Sequence, residues 1–192
     1  MASKKALALL GPTASGKTSL GIALAQAFEG EIVNLDSVQV YQELNIGSAK
    51  PTEDERKAVR HHLLDIACPD ENLNSFQLLK RALKAGQEIL GRGKLPIFSG
   101  GTGLYFKALF YGMFEGPHAD WDYRRAFRSR MACDGLASLY EELRLVDPLS
   151  AARIAPQDAL RIERALEIYH LTGKTKSELE KEQVYDCPFD FV

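Results

Sequence analysis

The chain has 192 residues, 45% hydrophobic and 26% charged, a length and balance that support one domain, or one domain with an insertion, around an ordinary buried core. With 24 Lys and Arg against 26 Asp and Glu the formal charge is −2, which excludes holding nucleic acid through bulk charge and requires any RNA partner to be met by a local basic patch. Cys68, Cys133 and Cys187 are odd in number, widely spaced and without a C-x-x-C pair, so neither a disulfide framework nor a zinc site is expected. No apolar leader follows the opening Met-Ala-Ser-Lys-Lys and no run has the length of a membrane span, so the expected setting is the cytoplasm, away from membranes.

In chain order, residues 6–10 read as a buried strand. Gly11-Pro12-Thr13-Ala14-Ser15-Gly16-Lys17-Thr18 follows and opens a mainly apolar helix that runs to Gly30. Residues 31–35 are a second strand, and two strands joined through one helix of this length form a right-handed unit with parallel strands. After the segment 36–51, Thr52-x-x-Glu55 fits a capping box on a short polar helix. Residues 63–66 are a weak strand candidate. Ser75 is the expected cap of a long helix over 76–90, stopped by Gly91 and Gly93. Residues 95–98 are another buried strand, and a second glycine turn, Ser99-Gly100-Gly101-Thr102-Gly103, opens a helix over 104–111 whose Tyr105, Phe106 and Phe110 read as core. Beyond Gly112, a helical stretch carrying Trp121, Arg124, Arg125, Arg128 and Arg130 reads as an insertion outside the sheet. Residues 158–171 form an amphipathic helix closed by Gly173, and residues 188–192 begin a strand. The expected class is α/β: a P-loop NTPase-like parallel sheet flanked by helices, with a helical insertion. Its expected division is a core over 1–112, the insertion over 113–146 and a return to the core over 147–192.

Gly11-x-x-x-x-Gly16-Lys17-Thr18 matches the Walker A pattern in full, between a strand and a helix. Glycines let backbone N–H groups converge on phosphate oxygens and the helix N-terminus adds its dipole. Lys17 neutralises charge, and the Thr18 hydroxyl can ligate Mg²⁺. The loop is therefore expected to bind a diphosphate or triphosphate. The guanine-reading N-K-x-D is absent, and an acidic partner must be Asp36 or Asp65. Asp36 is better placed, at a strand end beside the loop, where it could orient Mg²⁺ or accept a proton.

Five stretches in order, GPTASGKT (11–18), DSVQVYQELNIGSAKP (36–51), HHLLDI (61–66), GGTGLYFKAL (100–109) and RIERALE (161–167), together resemble the tRNA dimethylallyltransferases, over the chain as far as about Lys174. The resemblance implies transfer of the dimethylallyl group of dimethylallyl diphosphate to N6 of the adenine 3′ of the anticodon, with release of pyrophosphate. The loop would then hold a leaving group. Asp36 would be the general base, with Lys17, the amides of Ala14, Ser15 and Gly16, and Mg²⁺ at Thr18 stabilising the pyrophosphate. Thr102 matches a threonine that meets both substrates. The tRNA anticodon stem-loop would be contacted by Asp36, Ser37, Val38, Gln39 and Thr102 around a flipped base, and by Arg124 and the stretch Leu160, Arg161, Ile162, Glu163, Arg164 farther along. A monomer is expected.

Plainer readings stand beside these. Asp36 could serve only the metal's outer shell, Thr102 could cap its helix, and several of the arginines could be a solvated face. Trp121 could stack on a base. Adjacent His61 and His62 on a strand would face opposite ways, which favours packing or a hydrogen bond over a metal. Rival activities are an adenylate isopentenyltransferase, an ATP-using small-molecule kinase and a non-catalytic nucleotide-binding module. Against the family pattern, Ser48 stands for Thr, Ala155 and Gln157 for His and Asn, and Leu160 for Gln. The chain also stops before the family's C-terminal Gly-Tyr and basic helices, so it is expected to be truncated, binding the donor while transferring little.

Overall fold

In the computed structural model, which describes residues 4–71 and 73–192, the apolar runs of the N-terminal half become strands of one parallel sheet. Residues 1–3, on which the reading of the N-terminus partly rests, lie outside the described residues. The elements of this unit are β1 (Lys5–Leu10), α1 (Lys17–Ala27), β2 (Gly30–Asn34), α2 (Glu53–Ala58), β3 (His61–His62), α3 (Ser75–Gly91), β4 (Leu95–Gly100), α4 (Gly103–Tyr111) and β5 (Asp190–Phe191). The strand order is β3-β2-β4-β1-β5. Leu10 lies opposite Gly100 and Asn34 opposite Ser99, so β1, β2 and β4 end along one edge. From that edge emerge the phosphate loop, Asp36 and the second glycine turn, as expected for ligand sites of open parallel sheets.

Two local expectations shift, each for a readable reason. The cap of α3 is Asn74, not Ser75: Asn74 Oδ1 accepts from Gln77 N at 2.9 Å while Gln77 Oε1 accepts from Asn74 N at 3.2 Å. Three residues after Ser75 comes Leu78, which cannot return such a bond. The strand expected over 63–66 is instead the two-residue β3, because Leu63 and Asp65 adopt left-handed backbone at φ 63 and 54, which no ladder accommodates. The capping box at Thr52 and Glu55 is present as read.

The sheet core is built from Ala6, Ile32, Val33, Ile97 and Phe98, with Leu78, Ala82 and Ile89 of α3 and Phe106 and Leu109 of α4 packed in. Phe98 meets Phe189 and Phe191 at ring separations of 5.1 and 5.6 Å, which fastens β5 to the sheet. At the starting end of β2, buried Glu31 binds His62 Nε2 and Arg92 Nη2, both at 2.7 Å, and Lys94 Nζ at 3.2 Å. Burial alone would raise its pKa, but these hydrogen bonds outweigh it and pull the carboxyl down to about 2.

Residues Met113–Val184 form a second compact unit, and only Tyr185–Val192 rejoin the sheet unit. This differs from the expected return to the core over 147–192. The helices are α5 (Trp121–Val146, broken at Gly135), α6 (Pro148–Ala151), α7 (Ala159–Thr172) and α8 (Lys176–Glu182). The reason is the apolar face of α7: Ile162, Ala165 and Leu166 are buried in one cluster with Phe127, Leu139 and Leu143 of α5. Asp158 caps α7 by accepting from Arg161 N, and Gly173 ends it at φ 68. Among the described residues, no helix is long and apolar enough to cross a membrane.

Candidate active site

Between β1 and α1, Pro12–Ser15 are exposed and the loop doubles on itself, with Ser15 N donating to the Pro12 carbonyl at 3.3 Å. Ala14 and Gly16 take left-handed backbone, φ 64 and 80, the conformation that turns successive N–H groups toward one side. No side chain caps α1 and no acidic residue lies in its first turn, so its N-terminal amides are available to an anion. Lys17 Nζ donates to the Pro12 carbonyl at 2.5 Å and to Ser15 Oγ at 3.3 Å. That holds the ammonium over the loop, where a phosphate oxygen can take the place of a loop acceptor.

A cavity of about 330 Å³ opens beside this loop, lined by Thr13 to Thr18, by Asn34 at the end of β2, by Asp36 and Gln39 beyond it, and by Ser99 to Gly101 of the second glycine turn. Gly11 N donates to the Gly100 carbonyl and Leu35 N to the Ser99 carbonyl, so the two glycine turns and the end of β2 are laced together. Asp36 Oδ1 accepts from the amides of Val38 at 2.9 Å and Gln39 at 3.2 Å. Its second oxygen has no hydrogen-bond partner among the described residues. A carboxylate fixed by one oxygen and offered by the other suits a general base. Ser37 and Val38 are exposed next to it. Thr102 stands at the N-cap of α4, yet its hydroxyl makes no capping bond, which leaves it for another partner.

Thr18 lines the cavity beside the loop and offers a hard hydroxyl oxygen, which fits Mg²⁺, an ion held by as few as one or two protein oxygens where phosphates are bound. No cluster of three or more His, Cys, Asp or Glu able to hold a metal occurs among the described residues. Of the two candidate aspartates, Asp36 lines the cavity whereas Asp65 is ion-paired with Lys50 and Arg56. His61 also lines the cavity. Its Nδ1 lies 2.8 Å from the Val59 carbonyl, which can only accept, so the proton sits there and Nε2 is left as an acceptor. Burial lowers its pKa and favours that neutral ring. His62 turns the other way, to Glu31.

In the helical unit the residues matched to tRNA contact fall into two kinds. Arg124 forks onto Glu167, Nε to Oε1 at 2.8 Å and Nη2 to Oε2 at 2.9 Å, with its guanidinium 5.3 Å from the Trp121 ring centre, and Arg164 Nη1 donates to the same Oε2 at 2.5 Å. Burial alone would raise the Glu167 pKa, but these bonds hold it at about 2. Arg128 reaches Glu163 at 3.7 Å. Ile162 and Glu163 are buried, so the surface of the 160–164 stretch is Leu160, 76% exposed, with Arg161, which pairs with Asp158.

Sequence reasoning gave no role to Lys50 or Asn34, and weighed Asp65 only as the second choice for the acidic partner of the loop. Lys50 and Asp65 lay within quoted motifs, and their signal was an oppositely charged pair flanking the short helix α2. The Asn34 side chain donates to the Leu63 carbonyl at 3.4 Å and stands on the cavity wall.

Residues 39–192 match the IPP transferase family. The chain is 49% identical over 182 residues to the tRNA dimethylallyltransferase of Methylococcus capsulatus, covering 94% of this chain and 58% of that relative. It is 51% identical over 169 residues to the tRNA dimethylallyltransferase of Anaeromyxobacter dehalogenans, covering 88% and 56%. Among solved structures it is similar to a eukaryotic dimethylallyltransferase acting on tRNA, with TM-score 0.75 and 33% identity over 99% of this chain and 47% of that one. It is also similar to the full-length tRNA isopentenylpyrophosphate transferase of Bacillus halodurans, with TM-score 0.58 and 40% identity over 90% and 57%. The chain thus spans a little over half the length of the curated relatives it matches.

Proposed function

Because the chain belongs to the IPP transferase family, we propose that it carries the donor-binding and base-accepting part of an enzyme that moves a dimethylallyl group from dimethylallyl diphosphate to N6 of the adenine 3′ of the anticodon in tRNA. The observation that carries this reading is that the phosphate loop and a carboxylate with one oxygen uncommitted among the described residues line the same cavity.

The chemistry follows from that pairing. The lone pair of an adenine amine is delocalised into the ring, so the amine must be oriented and relieved of a proton as it attacks. N6 bonds to C1 of the prenyl group, the C1–O bond to the diphosphate breaks, and the N6 proton passes to Asp36. Lys17 and the amides of Ala14, Ser15 and Gly16 take up the charge that develops on the departing pyrophosphate. Thr18 would hold Mg²⁺, which when bound would supply further neutralisation of the diphosphate. Ser37, Val38, Gln39 and Thr102 border the base. Arg124, oriented by Glu167, and the exposed pair Leu160 and Arg161 are the proposed contacts to the anticodon stem-loop. A cytoplasmic monomer is the proposed working form.

The test uses the full-length protein with Mg²⁺, isotope-labelled dimethylallyl diphosphate, and unmodified tRNA in competition with AMP, followed by mass spectrometry of nucleosides. Label on the anticodon-loop adenine is expected. Label on AMP would overturn the acceptor, and ATP turnover without label would overturn the reaction class.

A further inference from the structure

The Lys50 side chain is only 2% exposed, and a buried ammonium is tolerated where its protons find acceptors. Its three protons have three acceptors: the Tyr41 carbonyl at 2.5 Å, Asn45 Oδ1 at 3.3 Å and Asp65 Oδ1 at 2.6 Å. Two of these lie in the same 36–51 segment, so one cation gathers the turns of the segment around itself and ties them to Asp65 on the chain leaving β3. Asp65 is prepared from its own side, with left-handed backbone and Arg56 Nη1 on its second oxygen at 2.7 Å. Burial alone would raise its pKa, but the hydrogen bonds from Lys50 and Arg56 outweigh it and keep the carboxyl below the ordinary aspartate value. The backbone follows the ion pair: Asp65 N donates to Gln39 O, Ile66 N to Val40 O and Gln42 N to Ala67 O.

Both ends of the segment line the cavity, Asp36 and Gln39 at one and Ser48, Ala49 and Pro51 at the other. Gln39 Nε2 donates to the Ser48 and Ala49 carbonyls at 2.8 and 3.1 Å, next to Lys50 in the chain. The Gln39 amide N–H in turn holds Asp36 Oδ1. An unbroken line of bonds therefore runs from Asp65 through Lys50 and the 48–50 backbone to Gln39 and Asp36.

We infer that Lys50 and Asp65 are positioning residues of the reaction, their ion pair fixing the 36–51 segment and thereby the aim of the Asp36 carboxylate and the Gln39 amide at the donor cavity. Neither lines that cavity. The inference rests on the proposed prenyl transfer. It separates from a purely structural role because misplacement of a base slows the chemical step while leaving the phosphate loop able to bind.

The experiment compares full-length protein with Lys50→Met, Asp65→Asn and the double variant, reading kcat, KM, donor affinity by direct titration, melting temperature, and hydrogen exchange at the Val38 and Gln39 amides. Asp65→Asn keeps size and shape, and covers the case in which Lys50→Met does not fold. Glu31→Gln, which disturbs a buried carboxylate at the far end of β2, is the matched control for stability. The expected result is a fall in kcat of about 10- to 100-fold in each single variant, no further fall in the double, donor affinity within about threefold, and faster exchange at 38 and 39. Glu31→Gln should lower the melting temperature with kcat unchanged. Unchanged kcat and exchange would overturn the inference, as would donor affinity, melting temperature and kcat falling together. If the unsubstituted protein transfers no prenyl group, the proposed function fails on that observation, and the exchange comparison still decides whether the ion pair fixes the segment.

Discussion

Asp36 shows how one residue is made useful by its neighbours. The Val38 and Gln39 amides hold one oxygen and leave the other at the cavity, so Asp36→Asn keeps the turn while removing the proposed base. Transfer should fall about 10²- to 10⁴-fold, with affinity for dimethylallyl diphosphate nearly unchanged by calorimetry. A parallel loss of donor affinity would assign Asp36 to the metal instead. Lys17 contributes charge-assisted bonds worth about 1.5–3 kcal/mol, so Lys17→Met should weaken pyrophosphate binding about 10- to 100-fold in the same titration. At this scale the glycine-rich loop and the placement of Asp36 beside it were legible in the sequence because such a loop demands fixed residue types at fixed spacing. Lys50 was not, because a lysine reads as surface until the fold shows its ammonium enclosed by Tyr41, Asn45 and Asp65. The inward face of α7 was also hidden, since nothing in the order of letters tells that Glu163 and Glu167 point inward to receive arginines.

Among the elements, α3 carries the sharpest packing constraint. A Cβ on Gly86 would lie 2.5 Å from Phe189 Cζ and 2.7 Å from Phe98 Cζ, within the aromatic cluster that joins β4 and β5. Alanine is ordinarily the better helix former by about 1 kcal/mol, yet Gly86→Ala should destabilise by about 1–3 kcal/mol through overpacking, measured by urea unfolding. A gain in stability would show that the aromatic rings yield freely. The strands and long helices followed from periodicity because burial selects it. Their ends depended on reciprocal bonds: Asn74 with Gln77 displaced Ser75 as cap, and left-handed Leu63 and Asp65 cut β3 short.

Across the whole molecule, each unit is organised around a buried carboxylate ringed by cations, Glu31 in the sheet unit and Glu167 in the helical one. Both titrate near 2 in the fold against an ordinary 4.5. Their stabilisation is therefore complete above the ordinary value and is lost as pH falls from about 4.5 toward 2. Allowing for partly exposed partners, each contributes on the order of 1–3 kcal/mol. Acid unfolding should be steep in that window, and Glu31→Gln or Glu167→Gln should flatten it. An unaltered acid limb in both variants would contradict the assignment. The helical unit pairs its arginines internally, which fits a chain of charge −2 whose proposed RNA contacts are a few oriented cations.

The phosphate loop is proposed to hold a leaving group and not a phosphate donor, and counting products tests this most directly. Full-length protein, tRNA and dimethylallyl diphosphate are incubated with Mg²⁺, without ATP, and pyrophosphate released is measured against prenylated adenosine formed. One pyrophosphate per prenyl adenosine, both abolished in Asp36→Ala, is the predicted result. A requirement for ATP, with inorganic phosphate as the product, would contradict it.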